Sequence, residues 1–211
     1  MGGMLQVLGR PNSINVRKVL WLCVELDLPY QHTPWGVPEL PLRSPEFLAL
    51  NPNALVPVLR DGDFVLWESN TICRYLAAKH GRVDLLPVEP AARARIEQWM
   101  DWMTTELNNA WRYAFMALGR RHADYTDARA IDTSVAAWNR QMALLDAQLQ
   151  RTGCHAVGDA FTLADIPLGL ATHRWFMTPL PQRPALPAVQ AYYDRLTERP
   201  GFRAHGRNGV P

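Results

Sequence analysis

Between Asn51 and Tyr75 the chain reads NPNALVPVLRDGDFVLWESNTICRY, and this stretch restricts the possible folds more than any other. Val56–Arg60 and Phe64–Trp67 are short runs rich in β-branched, aliphatic and aromatic residues, separated by Asp61-Gly62-Asp63. Asp-Gly between two such runs marks a β-hairpin, because glycine accepts the positive φ that a tight turn requires. Pro57 stands at the start of the first strand, where a missing N–H removes no ladder bond, and its X-Pro bond is a candidate for the cis form. The second strand runs into Glu68-Ser69-Asn70, where Ser69 is the expected N-cap of a helix carrying Thr71, Ile72, Leu76 and Ala77.

That junction has chemical content. A helix N-terminus collects a carboxylate, and a neighbouring Glu can hold an ammonium. A ligand with both groups on one carbon fits Glu68 and Ser69. The run LVPVL, a hairpin and then WESN-x-I-x-x-YL resembles the glutathione-binding half of the cytosolic glutathione transferase family. The γ-glutamyl end of glutathione is such an amino acid.

In chain order, Met1-Gly2-Gly3 reads as an unstructured lead, Met4–Leu8 as a strand and Gly9–Asn12 as a turn. From Val16, apolar residues at 19, 20, 23, 24 and 26 fall on one helix face. Leu28-Pro29 ends that helix, and a strand over Tyr30–Thr33 precedes a proline-rich loop. Ser44-Pro45-Glu46 supplies a cap, a proline at the first helical position and an acid in the first turn of a short helix ending near Leu50. Strand, helix, strand, helix, strand, strand, helix is the order of a thioredoxin-like domain, expected over residues 1–80. Such a domain does dithiol chemistry through a Cys before its first helix, but here that loop is RPNSIN, which disfavours a glutaredoxin-type mechanism.

Residues 81–89 read as a linker, and 90–211 as an all-helical domain, so the expected fold class is α/β plus all-α. Ile96, Trp99, Met100, Met103, Leu107 and Trp111 mark one face of a long helix; Ile131, Val135, Trp138, Met142, Leu145 and Leu149 mark another. Both stripes are expected to be core. In GDAFTLADI, Thr162 and Asp165 are spaced as a capping box flanked by a Phe161–Ile166 staple, and the motif resembles the core-helix signature of the transferases' second domain. Pro167 is expected to distort the first turns of that helix. Leu186–Leu196 reads as the last helix, stopped by Arg199-Pro200-Gly201.

Composition removes several function classes. A net charge of +2 with acids and bases interspersed gives no basic face for nucleic acid. No apolar run approaches the roughly 18 residues of a membrane span and no basic region followed by an apolar core opens the chain, which points to a cytoplasmic protein. Three cysteines, Cys23, Cys73 and Cys154, are an odd number without metal-type spacing, and the histidines are dispersed, so neither a disulfide framework nor a metal site is expected.

The resemblance implies that the glutathione sulfur attacks an electrophilic carbon, with glutathione as co-substrate and no metal. A free thiol with a pKa of about 8.5 is only a few per cent ionised at pH 7, so a donor to sulfur is needed. Loop and helix SINVRKV resemble the S-x-N-x-x-K-V motif of the theta-like bacterial class, which makes Ser13 the expected donor and Asn15 its rival; the alternative is that Ser13 only caps the helix. By the same match Val56 offers its peptide N–H and C=O to the cysteinyl part beside Pro57, and Glu68 and Ser69 take the γ-glutamyl end. Leu55 stands where relatives often carry a polar residue, which leaves the glycyl carboxylate to Asn53, Arg43 or the loop from His32 to Leu42. The electrophile site is expected near Arg10, Pro11, Trp111, Tyr113 and Met116, with Trp175 a further candidate, and a homodimer is usual in the family. Alternatives to conjugation are a glutathione-dependent disulfide reductase or peroxidase and a non-catalytic ligand- or protein-binding member.

Overall fold

A computed structural model of the chain describes residues 4–209 and 211. The lead expected at residues 1–3 lies outside the described residues. The chain divides into two compact units: residues up to Val83 with Pro200–Asn208, and Asp84–Arg199 with the last few residues.

The first unit runs β1 (Leu5–Leu8), α1 (Ile14–Glu25), β2 (Tyr30–Thr33), α2 (Pro45–Leu50), β3 (Val58–Asp61), β4 (Phe64–Trp67) and α3 (Ser69–Lys79). The sheet order is β2-β1-β3-β4, with β1 parallel to β2 and antiparallel to β3, and β3 antiparallel to β4. This is the expected thioredoxin-like arrangement. Strand alternation puts Leu8 and Val58 on one face, where they meet Phe47 of α2 and the partly buried Trp35, Leu42 and Leu50. Ser44 caps α2 as expected, its hydroxyl accepting from Phe47 N–H at 3.3 Å.

Two boundaries shift. The hairpin closes at Asp61↔Phe64 with Gly62 at φ +63°, but its first strand begins at Val58 rather than Val56, because Pro57 has no N–H to give the ladder. The Val56–Pro57 bond is cis. Ser69 is the first residue of α3 and not its cap; the capping position falls to Glu68, whose side chain makes no capping bond.

A further helix, α9 (Pro200–His205), follows where the sequence pattern placed the stop of the last helix. Pro200 does not terminate a helix here but begins one, at the position where its missing N–H is harmless. Helix α9 packs on α1, Trp21 meeting the ring of Phe202 at 4.9 Å and the backbone at Gly201. Arg17, 1 % exposed, donates from Nε to the His205 carbonyl at 2.5 Å, from Nη2 to the Gly206 carbonyl, and from Nη2 to Asn208 Oδ1 at 3.1 Å.

The second unit is helical. The expected long helix is built as α4 (Pro90–Trp102), a π-helical turn at Met103–Leu107, α5 (Asn108–Ala114) and a second π-helical turn at Phe115–Gly119. Thr104 and Thr105 help loosen the first of these, their hydroxyls donating to the carbonyls of Met100 and Asp101 in competition with backbone N–H groups. Of the expected stripe, Ile96, Met100, Met103, Leu107 and Trp111 are buried across the change of pitch, whereas Trp99 is only half-buried. Helix α6 (Ala128–Thr152) starts under an Asp127 cap and stops at Gly153, φ +84°; α7 (Asp165–Met177) and α8 (Pro187–Leu196) complete the unit.

The box at α7 is made from its acidic side. Asp165 is fully buried and accepts from Thr162 N–H at 2.8 Å, Ala156 N–H at 3.0 Å and Tyr192 O–H at 3.0 Å, while the Thr162 hydroxyl donates to the same carboxylate at 3.3 Å. Pro167 leaves α7 uninterrupted, contrary to expectation, because as its third residue it would have had no intrahelical acceptor for an N–H.

Candidate functional site

Ser13 occupies the N-cap position of α1 with φ −80° and ψ 124°, and its carbonyl accepts from Arg17 N–H at 3.0 Å. Its side chain caps no helix N–H, so the hydroxyl of this half-buried residue is not consumed by the helix it precedes. Asn15 lies in the first turn and is exposed.

Val56 lies against the loop that leads to Ser13. A Cβ at Gly9, φ +147°, would fall 2.5 Å from Val16 Cγ2 and 2.8 Å from Val56 Cβ, so only glycine lets β1 end this close to both. Val56 precedes the first ladder pair of β3, Val58↔Trp67, and its peptide groups stand beyond that ladder. The segment before it is braced by buried Asn51: Nδ2 donates to the Leu55 carbonyl at 2.8 Å, and Oδ1 accepts from the Asn53 N–H and side-chain amide at 3.1 and 3.0 Å. Asn53 is exposed, the Leu55 side chain is 61 % exposed, and Pro57 is buried.

Glu68 sits at φ +71° and ψ 107°, a conformation that costs a non-glycine residue about 1–3 kcal/mol and persists only where the surroundings impose it. It turns β4 into α3, with its own carbonyl accepting from Ile72 N–H at 2.8 Å and its carboxylate-bearing side chain exposed. Ser69 follows, 5 % exposed, in the first turn of α3, whose leading N–H groups have no intrahelical acceptors. Lys18 Nζ on α1 donates to Ser69 Oγ at 3.5 Å. The head of α3 thus lies within reach of a side chain from α1; α1 begins with a hydroxyl, and α3 with a hydroxyl, N–H groups and a carboxylate.

Residues 12–79 match the glutathione S-transferase N-terminal domain family and residues 107–200 the corresponding C-terminal domain family. Glutathione S-transferase GstB of Escherichia coli K12 is 43 % identical over 202 residues, which cover 95 % of this chain and 96 % of that protein. The chain belongs to the glutathione S-transferase family. Maize glutathione S-transferase 3 is 32 % identical over 207 residues, covering 94 % of this chain and 91 % of its own length. Among solved structures, the theta class glutathione S-transferase of Xanthomonas axonopodis pv. citri with glutathione bound superposes with a TM-score of 0.88 at 38 % identity, covering 96 % of each chain.

Within this transferase the residues expected to line an electrophile site divide sharply. Arg10 and Pro11 are exposed in the β1–α1 loop of the first unit. In the second unit Trp111 is 2 % exposed, its ring 5.7 Å from Trp138, and Trp175 is 1 % exposed with its indole N–H donating to Asn139 at 2.9 Å. Both side chains are packed in the core, the place expected of the apolar stripe that includes Trp111. Tyr113 is half-buried edge-on to Tyr125, its hydroxyl accepting from Asp127 N–H at 3.2 Å, and Met116 is partly exposed.

Burial pushes the Cys23 and Cys73 thiols up to about 12, so neither is a nucleophile at neutral pH. Sequence inspection assigned no role to Lys18 or Asn51. The available signals for Lys18 were its place as the lysine of SINVRKV and its being a basic residue inside the run from Val16 to Val24; for Asn51 the signal was the Asn-Pro-Asn turn ahead of Val56.

Proposed function

We propose that this glutathione transferase ionises the thiol of glutathione at the head of α1 and delivers the thiolate to apolar electrophiles. The observation that carries the proposal is the Ser13 hydroxyl, which caps no N–H of its helix and so remains available to donate to sulfur. Lowering a thiol pKa by two units requires about 2.7 kcal/mol, within the reach of one charge-assisted hydrogen bond together with a helix N-terminus. Glutathione lies along Val56, whose N–H and C=O pair with the cysteinyl residue beside Pro57. Its γ-glutamyl ammonium meets Glu68 and its carboxylate meets Ser69 and the first N–H groups of α3. The glycyl carboxylate goes to the second amide hydrogen of Asn53 or to Arg43, with exposed Leu55 packing along the peptide. Support comes from the Xanthomonas enzyme, similar over nearly the whole chain and described with glutathione bound. Exposed Arg10 and Pro11, in the loop that leads to Ser13, are the residues we assign to the electrophile, and a homodimer is the assembly.

Titration of thiolate absorbance in the glutathione complex tests the role of Ser13. Ser13→Ala should raise the bound thiol pKa by about two units and lower kcat/KM near neutral pH by about 10- to 100-fold, while Asn15→Ala leaves both within about twofold. An unchanged titration in Ser13→Ala, with a shift in Asn15→Ala, transfers the role to Asn15.

A further inference from the structure

Lys18 is a lysine in the interior of the first unit, 1 % exposed, in the middle of the buried run of α1. Lysine is rarely buried this completely, because its ammonium gives up water that only oriented acceptors or charges can replace. Its Nζ lies 3.5 Å from Ser69 Oγ. An ammonium has three donors and no acceptor, so towards Ser69 it can only donate. The serine hydroxyl has a single hydrogen, and with a lone pair turned to the ammonium that hydrogen must serve another acceptor. The neighbouring N–H groups of the first turn of α3 are donors and cannot take it. Among the described residues Ser69 Oγ has no second hydrogen-bond partner.

We propose that Lys18 is a positioning residue that turns the Ser69 hydroxyl outward as a donor and makes this end of the site selective for a ligand carboxylate. The inference rests on the placement of the γ-glutamyl group at Glu68 and Ser69. The positive charge behind Ser69 and the negative charge of Glu68 give the junction a polarity: the α-carboxylate of an amino-acid terminus goes to the lysine side and its ammonium to the glutamate side. The same cation acts along the face of α3 that Ser69 begins. Cys73, one turn on, has its thiol raised by burial, with the Lys18 charge the foremost influence pulling the other way.

The test measures binding of two thiols to the full-length protein by calorimetry: glutathione, and the tripeptide with 4-aminobutyrate in place of γ-glutamate, which lacks only the α-carboxylate. Lys18→Met should weaken glutathione by about 10- to 100-fold and change the decarboxylated analogue by no more than about twofold. In the same variant kcat at saturating glutathione and the bound thiol pKa should stay at wild-type values, because sulfur is held at the other helix. In a Ser69→Ala background Lys18→Met should add less than about threefold, since the two residues act as one unit. Lys18→Gln, which keeps a donor and loses the charge, gives the same comparison if the Met variant folds poorly. Equal weakening of both ligands, or of neither, overturns the role of Lys18. If the wild-type protein itself binds the two ligands equally, the placement of the γ-glutamyl group has failed and the lysine proposal falls with it.

Discussion

Gly9 is the residue whose replacement has the most clearly defined consequence. Alanine there would place a methyl 2.5 Å from Val16 and 2.8 Å from Val56 at φ +147°, so a side chain on each flank must yield. Gly9→Ala should destabilise the fold by about 2–3 kcal/mol in urea unfolding, from overpacking together with the unfavourable φ. Because one flank is Val56, the residue we propose pairs with the cysteinyl part of glutathione, affinity should fall as well, whereas Gly62→Ala, with open space around its Cβ, should leave affinity unchanged. Cysteine reactivity is a second prediction at this scale. Cys23 and Cys73 are buried with raised pKa values, and Cys154 is partly exposed. A thiol-disulfide reagent near pH 8 should modify one thiol of the native protein quickly, and Cys154→Ser should abolish that phase. The burial of the first two cysteines follows from their positions on the packed faces of α1 and α3. The function of Lys18 was not readable, because sequence shows that a lysine interrupts an apolar run but not that it reaches Ser69, fifty-one positions away.

Among the elements, the head of α7 is where sequence and structure agree on the residues and differ on the chemistry. The T-x-x-D spacing identified the pair, but the hydrogen bonds converge on Asp165, including those from Ala156 and Tyr192, which local spacing cannot reveal. The cost of substitution should therefore be asymmetric. Thr162→Ala removes one 3.3 Å bond and should cost about 1 kcal/mol, whereas Asp165→Ala leaves two buried N–H groups and a buried tyrosine hydroxyl without their acceptor and should cost more than about 3 kcal/mol. Equal losses in urea unfolding would show that the box works through the threonine hydroxyl. The hairpin and the Ser44 cap were legible because each depends on residues a few positions apart. The π-helical turns were not, since the apolar stripe that signals a helix tolerates an added residue, and α9 was missed because proline both ends and begins helices.

At the scale of the whole molecule, the last helix returns to the first unit and completes it. Residues 200–208 supply three oxygen acceptors for Arg17 and the ring against Trp21, so the first unit is not finished at the end of α3. A chain ending at Arg199 deprives a buried guanidinium of three oxygen acceptors, a loss expected to destabilise the first unit by about 3–5 kcal/mol. In an Arg17→Met background the same truncation should cost markedly less, because no buried charge is left behind. The joint also makes stability depend on pH. His205, with its ring nitrogen 3.4 Å from the Tyr30 hydroxyl, has its pKa lowered first by burial and then by the charges of Arg17 and His32. The unfolded chain takes up the proton at about pH 6.5 while the native state still resists it, so the unfolded state binds more protons in that window and stability falls as the pH drops. Thermal unfolding followed from about pH 7.5 down to about pH 5.5 should show a falling Tm, with a shallower slope for His205→Gln. An identical slope in that variant would mean that the C-terminal joint contributes nothing to the acid sensitivity and that the change arises elsewhere in the chain.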